Sequence, residues 1–169
     1  MKKISIFELT IISLFGALLL VVQVGLSYLP NIELVSLLII VFTIMLNAKI
    51  VYVLFIFVLA EGLLYGFGLW WFCYLYVWGI LALFVYIFRK RREPLFWAIV
   101  SGTFGLLFGV LCSFVYLFTA GLGGMLSWIA GGLIFDVIHG ISNFVLTLVL
   151  FKPLFTVLNK LMSKVKRIE

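Results

Sequence analysis

Phe135-Asp136-Val137-Ile138-His139-Gly140-Ile141-Ser142-Asn143-Phe144 holds the only aspartate and the only histidine of the chain, both inside a long apolar run. The run is too long and too apolar for a strand. At 100° per residue, Gly132, His139, Gly140, Asn143 and Thr147 fall within about 60° of Asp136. Ile134, Val137, Ile138, Ile141, Val145 and Leu148 fill the rest of the helix surface. A stripe of polar and small residues on an apolar helix predicts a membrane span with one face turned to protein. At 1.5 Å per residue, Asp136 lies about 16 Å from Met125, which predicts mid-membrane depth, with Asn143 deeper.

The composition extends this reading to the whole chain. Of 169 residues, 66% are hydrophobic and 11% charged, and the mean hydropathy is +1.37. Soluble domains are about 45–50% apolar and about 25% charged. So much apolar surface needs lipid as its solvent, which predicts an all-α integral membrane protein. A span needs about 20 apolar residues. Six candidates follow, over about 7–28, 32–46, 50–67, 71–88, 95–118 and 125–151, with a basic tail over 152–169. They form a single transmembrane domain over 1–169. The second is short, bounded by Pro30-Asn31 and Asn47-Ala48-Lys49. Gly66 and Gly68 interrupt the chain after the third. Thr119-Ala120-Gly121-Leu122-Gly123-Gly124 predicts a turn between the last two. Two lysines precede the first run, but no small-residue cleavage site follows it, so it is read as a retained helix rather than a signal peptide.

The net charge of +6 raises the question of nucleic acid, and the placement of the charges answers it. Lys2, Lys3, Lys49, Arg89, Lys90, Arg91, Arg92, Lys152, Lys160, Lys164, Lys166 and Arg167 all fall at alternate ends of the apolar runs. By the positive-inside rule this predicts both termini and the 2–3 and 4–5 connections in the cytoplasm of a multi-pass cell-membrane protein. The basic residues are topogenic anchors against the lipid bilayer, and no nucleic acid is expected. There is no phosphate-binding loop, so any ATP is used by another chain. One His and one Asp fall short of the usual three zinc ligands, and no nucleophile stands beside a base. The chain is therefore read as a non-enzyme with no catalytic residues, no metal and no cofactor. Cys73 and Cys112 read as inert buried thiols.

Ionisable groups inside a membrane are functional hypotheses by default. Asp136, His139 and Asn143 read either as interhelical hydrogen-bonding groups or as part of a substrate or proton site. Glu61, in the outer half of the third helix, reads as a ligand-site or network residue. Glu33 reads as a partner of the second helix's N-terminal dipole. Tyr28, Trp70, Trp71, Tyr74 and Trp128 gather at the outer interface. They form either an aromatic belt or a stacking wall for a flat ligand, with Glu61 and Asn31 as polar partners. The candidate substrate-binding residues are Asn31, Glu61, Tyr65, Trp70, Trp71, Tyr74, Trp128, Asp136 and His139. Gly102, Gly105 and Gly109 in the fifth helix predict a close helix neighbour. Ser13 and Ala17, with Gly16 alongside, suit the first helix either to close packing inside the protein or to a flat surface for a partner.

With these residues in view, the chain resembles the substrate-binding S component of an energy-coupling factor (ECF) transporter. The likeness covers the whole chain. It rests on its size, six helices with both ends inside, and the small-xxx-small start of helix one. It also rests on Pro30-Asn31-Ile32-Glu33-Leu34-Val35-Ser36, on Asp136-x-x-His139-x-x-x-Asn143-Phe144 and on Lys152-Pro153-Leu154. The resemblance implies a bacterial vitamin-uptake protein with an S-component-like bundle. Such a protein captures a water-soluble vitamin or related micronutrient at the outer face. It delivers the substrate inward with a transmembrane T component and two cytoplasmic ATPases, and Ser13 and Ala17 would meet the T component. Aromatic walls suit thiamin-, flavin-, pterin- and corrin-like ligands alike. The alternatives are a stand-alone proton-coupled transporter that uses Asp136, His139 and Glu61, and a membrane-embedded enzyme or assembly factor.

Overall fold

The computed structural model describes residues 5–165 as helices joined by short connections. Lys2, Lys3, Lys166 and Arg167 lie outside the described residues, as does the side chain of Lys164. Helix α1 spans Ile6–Leu26 and opens on a capping box. The Glu8 backbone N–H donates to Ser5 Oγ at 3.1 Å, and the Ser5 N–H donates to Glu8 Oε2 at 3.2 Å. This satisfies two N–H groups that a helix start leaves open. The buried face of α1 is Ile12, Phe15, Gly16 and Leu19. It packs on α3, Ile50–Tyr65. A Cβ on Gly16 would stand 2.7 Å from Ile56 Cγ2, so the glycine sets how closely these helices approach. Ser13 and Ala17 lie on the exposed side of α1.

Helix α2, Val35–Leu46, is the centre of the bundle. Every residue from Val35 to Ile44 is buried, and α2 touches each of the other helices. An apolar run without periodicity suits a helix surrounded by protein on all sides. Phe42 stacks on Phe15 with centroids 3.9 Å apart. The helix has only twelve residues, about 18 Å of rise. That is well short of a hydrocarbon core of about 30 Å. It begins three residues later than the sequence predicts, because Asn31 takes φ 59° and Ile32 to Leu34 stay non-helical. At its other end Asn47, with φ 54°, breaks the chain into a 3-10 turn over Asn47–Lys49 that leads to α3.

After Gly66 (φ 86°), helix α4 runs Leu69–Phe88. Helix α5, Pro94–Val165, has 72 residues interrupted by non-helical geometry at Gly121 alone (φ 67°, ψ −169°). The chain reverses there. Tyr116 stacks on Trp128 at 4.1 Å, and the Gly109 N–H donates to Asp136 Oδ1 at 3.0 Å. A Cβ on Gly105 would stand 2.8 Å from the His139 carbonyl oxygen. The two arms, 94–120 and 122–165, are thus an antiparallel pair in close backbone contact. The turn expected over 119–124 contracts to one residue, because a glycine at positive φ is enough to reverse two arms packed this closely. The end expected at 151 is also corrected. Pro153 removes one backbone donor, yet the helix continues to Val165 while Leu154, Phe155 and Leu158 pack on the core.

Four apolar helical stretches are long enough to cross a membrane: Ile6–Leu26, Val35–Tyr65, Leu69–Phe88 and Pro94–Ser163. The second is interrupted at Asn47 and the fourth at Gly121. Basic residues gather at one end of the bundle. Lys49 pairs with Glu8. The Arg89 guanidinium lies 4.1 Å from the Tyr86 ring centroid and that of Arg92 lies 5.0 Å from the Phe155 ring centroid. Met162 reaches the same end, beside Phe7, Glu8 and Lys49.

Candidate functional site: a cavity above the short central helix

Because α2 is short, the connection over 27–34 must descend into the bundle to reach it. The descent is fixed by the second arm of α5. Ser142 Oγ donates to the Asn31 carbonyl at 2.8 Å, and Asn143 Nδ2 donates to Ser36 Oγ at 3.2 Å. Glu33 Oε1 meets His139 Nε2 at 3.2 Å. These three partners lie 18 to 22 residues beyond the Gly121 bend, about 27–33 Å along the arm. Irregular backbone at such depth is tolerated where it is buried in protein or lines a cavity. Glu33 therefore does not sit at the outer interface, where its position in sequence suggests. One of its oxygens accepts from the Ser36 N–H at 2.8 Å and caps α2, as the dipole argument expects. The other faces the imidazole. Their side chains are only 12% and 6% exposed.

Above this pair lies a cavity of about 240 Å³ lined by Gln23, Leu26, Ser27, Leu29, Pro30, Asn31, Ile32, Glu33, Tyr74, Trp78, Phe108 and His139. It occupies the space that a full-length second helix would fill. The Phe108 ring packs on His139 at 5.1 Å and on Trp78 at 5.5 Å. Tyr74 meets Trp78 edge-on at 5.4 Å. The result is an aromatic wall facing a carboxylate–imidazole floor. From Phe108 down the first arm to Pro94 is about 21 Å, so the floor stands well above the basic end.

A second compartment of about 230 Å³ adjoins the first through Gln23, Ser27 and Tyr74, which line both. Glu61, Tyr65 and Trp70 complete it. Gln23 Nε2 donates to Tyr74 Oη at 3.5 Å, which spans the boundary. Glu61 is 2% exposed, and its Oε1 has no hydrogen-bond partner among the described residues. Trp78 Nε1, a buried donor beside the first compartment, has none either.

The structure thus brings Asn31, Tyr74 and His139 to the first compartment and Glu61, Tyr65, Trp70 and Tyr74 to the second. Three other candidates line neither. Trp71 donates its indole N–H to the Val58 carbonyl at 2.8 Å and packs edge-on against Phe67, which closes the α3–α4 turn. Trp128 is 39% exposed and stacks on Tyr116. Asp136 turns toward Gly109, where it accepts the N–H. Asn143, 2% exposed, ties α5 to α2. The sequence reading did not select Glu33, Gln23, Trp78 or Phe108 for the site. Gln23, an amide inside an apolar helix, carried a usable signal. The depth of Glu33 did not, because it follows from where α2 begins. Among the described residues no group of three or more His, Cys, Asp or Glu side chains could hold a metal, and Cys73 and Cys112 are buried free thiols. No family model matches the chain, and no similar curated protein or solved structure was found.

Proposed function

We propose that the protein is the substrate-capture subunit of an ECF-type micronutrient transporter in the cell membrane. The observation that carries this reading is the cavity above α2. A half-length central helix leaves a space with aromatic walls and a polar floor, large enough for one or two rings and capped by the 27–34 connection. Such concave sites with a few convergent polar groups suit small organic ligands. In the proposed orientation the basic end lies in the cytoplasm, and the cavity opens toward the outer side. The exposed Ser13 and Ala17 face of α1 is free to meet the T component, which with its two ATPases supplies the energy. In this reading the chain crosses six times, with α2 and the 27–34 connection together making one crossing, α3 another and α5 two, and both termini lie inside.

The test is co-purification in mild detergent from cells that carry the whole transporter. Mass spectrometry is expected to find a stoichiometric small organic ligand, and the T component and both ATPases are expected to travel with the tagged chain. Absence of ligand and of both partner types sinks the reading. The Glu33–His139 pair favours one second reading, a proton-coupled carrier, because a buried acid–imidazole contact can exchange a proton. That carrier would accumulate solute alone in proteoliposomes under a pH gradient, which a capture subunit does not.

A further inference from the structure

We infer that the compartment around Glu61 takes the positively charged end of a flat organic substrate, an amidinium- or aminoheterocycle-type cation, whose ring lies against Trp70 and Tyr74. This rests on the capture reading and names its substrate class. Glu61 is almost wholly buried, lines the compartment, and carries an oxygen with no partner among the described residues. A buried carboxylate without a partner is costly, and an N–H-bearing cation removes the cost. Among the described residues no lysine or arginine lines either compartment, so none there competes for the carboxylate or attracts an anion. Glu33 differs, since His139 and the Ser36 N–H already occupy its oxygens. Trp70 and Tyr74 stand edge to face at 5.2 Å, and the Tyr74 and Trp70 π faces favour a cation beside them. From there a ligand passes Tyr74 and Gln23 into the first compartment, where the Trp78 ring forms part of the wall. The site therefore reads as bipartite: cation at Glu61, ring system beside Trp78.

Three probes of one shape separate the charge states: benzamidine, a cation at neutral pH; benzamide, its neutral counterpart; and benzoate, the anion. Each is titrated into the detergent-purified full chain with tryptophan fluorescence and melting temperature as readouts. Saturable quenching by benzamidine, at least tenfold tighter than by benzamide and absent with benzoate, is expected. Glu61→Gln, which keeps the shape and removes the charge, is expected to melt no lower than the parent and to lose the benzamidine preference. Equal or better binding of benzamide or benzoate overturns the cation class while leaving a ligand cavity, and so leaves the capture reading standing. A preference that survives Glu61→Gln, or no saturable binding of any probe, also overturns it. In the last case the capture reading stands or falls on co-purification alone.

Discussion

Glu33 serves two neighbours at once, and the site depends on both contacts. One oxygen holds the first turn of α2 and the other holds His139. Removing either side chain leaves a buried polar group without its partner. His139→Ala and Glu33→Ala are each expected to lose about 1–3 kcal/mol of stability, a fall of roughly 2–10 °C in melting temperature for a chain of this size. The double variant is expected to lose clearly less than the sum of the two. Scanning fluorimetry on all four proteins checks this, and strict additivity would show that the pair is not coupled. Trp71 makes the contrasting case. Its indole N–H bonds Val58 and not the cavity, so Trp71→Ala is expected to lower the melting temperature while leaving ligand affinity within about twofold, whereas Trp70→Ala is expected to weaken affinity. At this scale the sequence was half legible. The capping role of Glu33 follows from its place three residues before Ser36. Its contact with His139 crosses 106 positions and exists only because α2 starts deep in the bundle. Trp70 and Trp71 are adjacent in sequence and cannot be separated by composition, yet helical geometry turns one toward the compartment and the other toward the α3–α4 turn.

Helix α5 shows what a row of glycines does for an element. Gly102, Gly105 and Gly109 let the first arm lie against Phe144, His139 and Asp136 of the second. The stripe was readable as a packing face, but not its partner, since spacing along one helix says nothing about which helix approaches it. A Cβ at Gly105 meets backbone, which cannot rotate away. Gly105→Ala is therefore expected to cost about 1–3 kcal/mol through overpacking. Gly131→Ala, with nothing within 4 Å of the added carbon, is expected to be neutral or slightly stabilising, because alanine favours helix. Thermal melts of the two variants decide the matter, and equal melting temperatures would contradict the close contact. The run Gly121, Gly123, Gly124 reads as an extended turn, yet only Gly121 takes positive φ. Two of the three glycines are helical, so glycine count overstated the length of the connection.

At the scale of the whole molecule, the described lysines and arginines are segregated from the cavity. Lys49, Arg89 and Arg92 hold the end where α1 begins, α2 and α4 finish and the last turns of α5 return. In the proposed topology, Lys90→Cys is expected to react with an impermeant maleimide only from inverted vesicles, and Leu122→Cys only from intact cells. Labelling of both from one side rules that topology out. The apolar arms and the one-ended charge were legible, because both are properties of composition along the chain. The cavity was not, because it is the space left by a helix that stops early. That shortness also bears on how the protein is made. A helix of twelve residues, ten of them apolar, is a poor signal for lateral release into lipid, which requires nearly a full bilayer's length. Val35–Leu46 leaves the ribosome before α4 and α5, the helices that later enclose it, have been synthesised. In the proposed membrane topology it stays beside α1 and α3 until α4 and α5 are made. In that topology the segment that ends up most protected is the one with the weakest signal for entering the membrane unaided, and its insertion is completed only when the last helices have been synthesised.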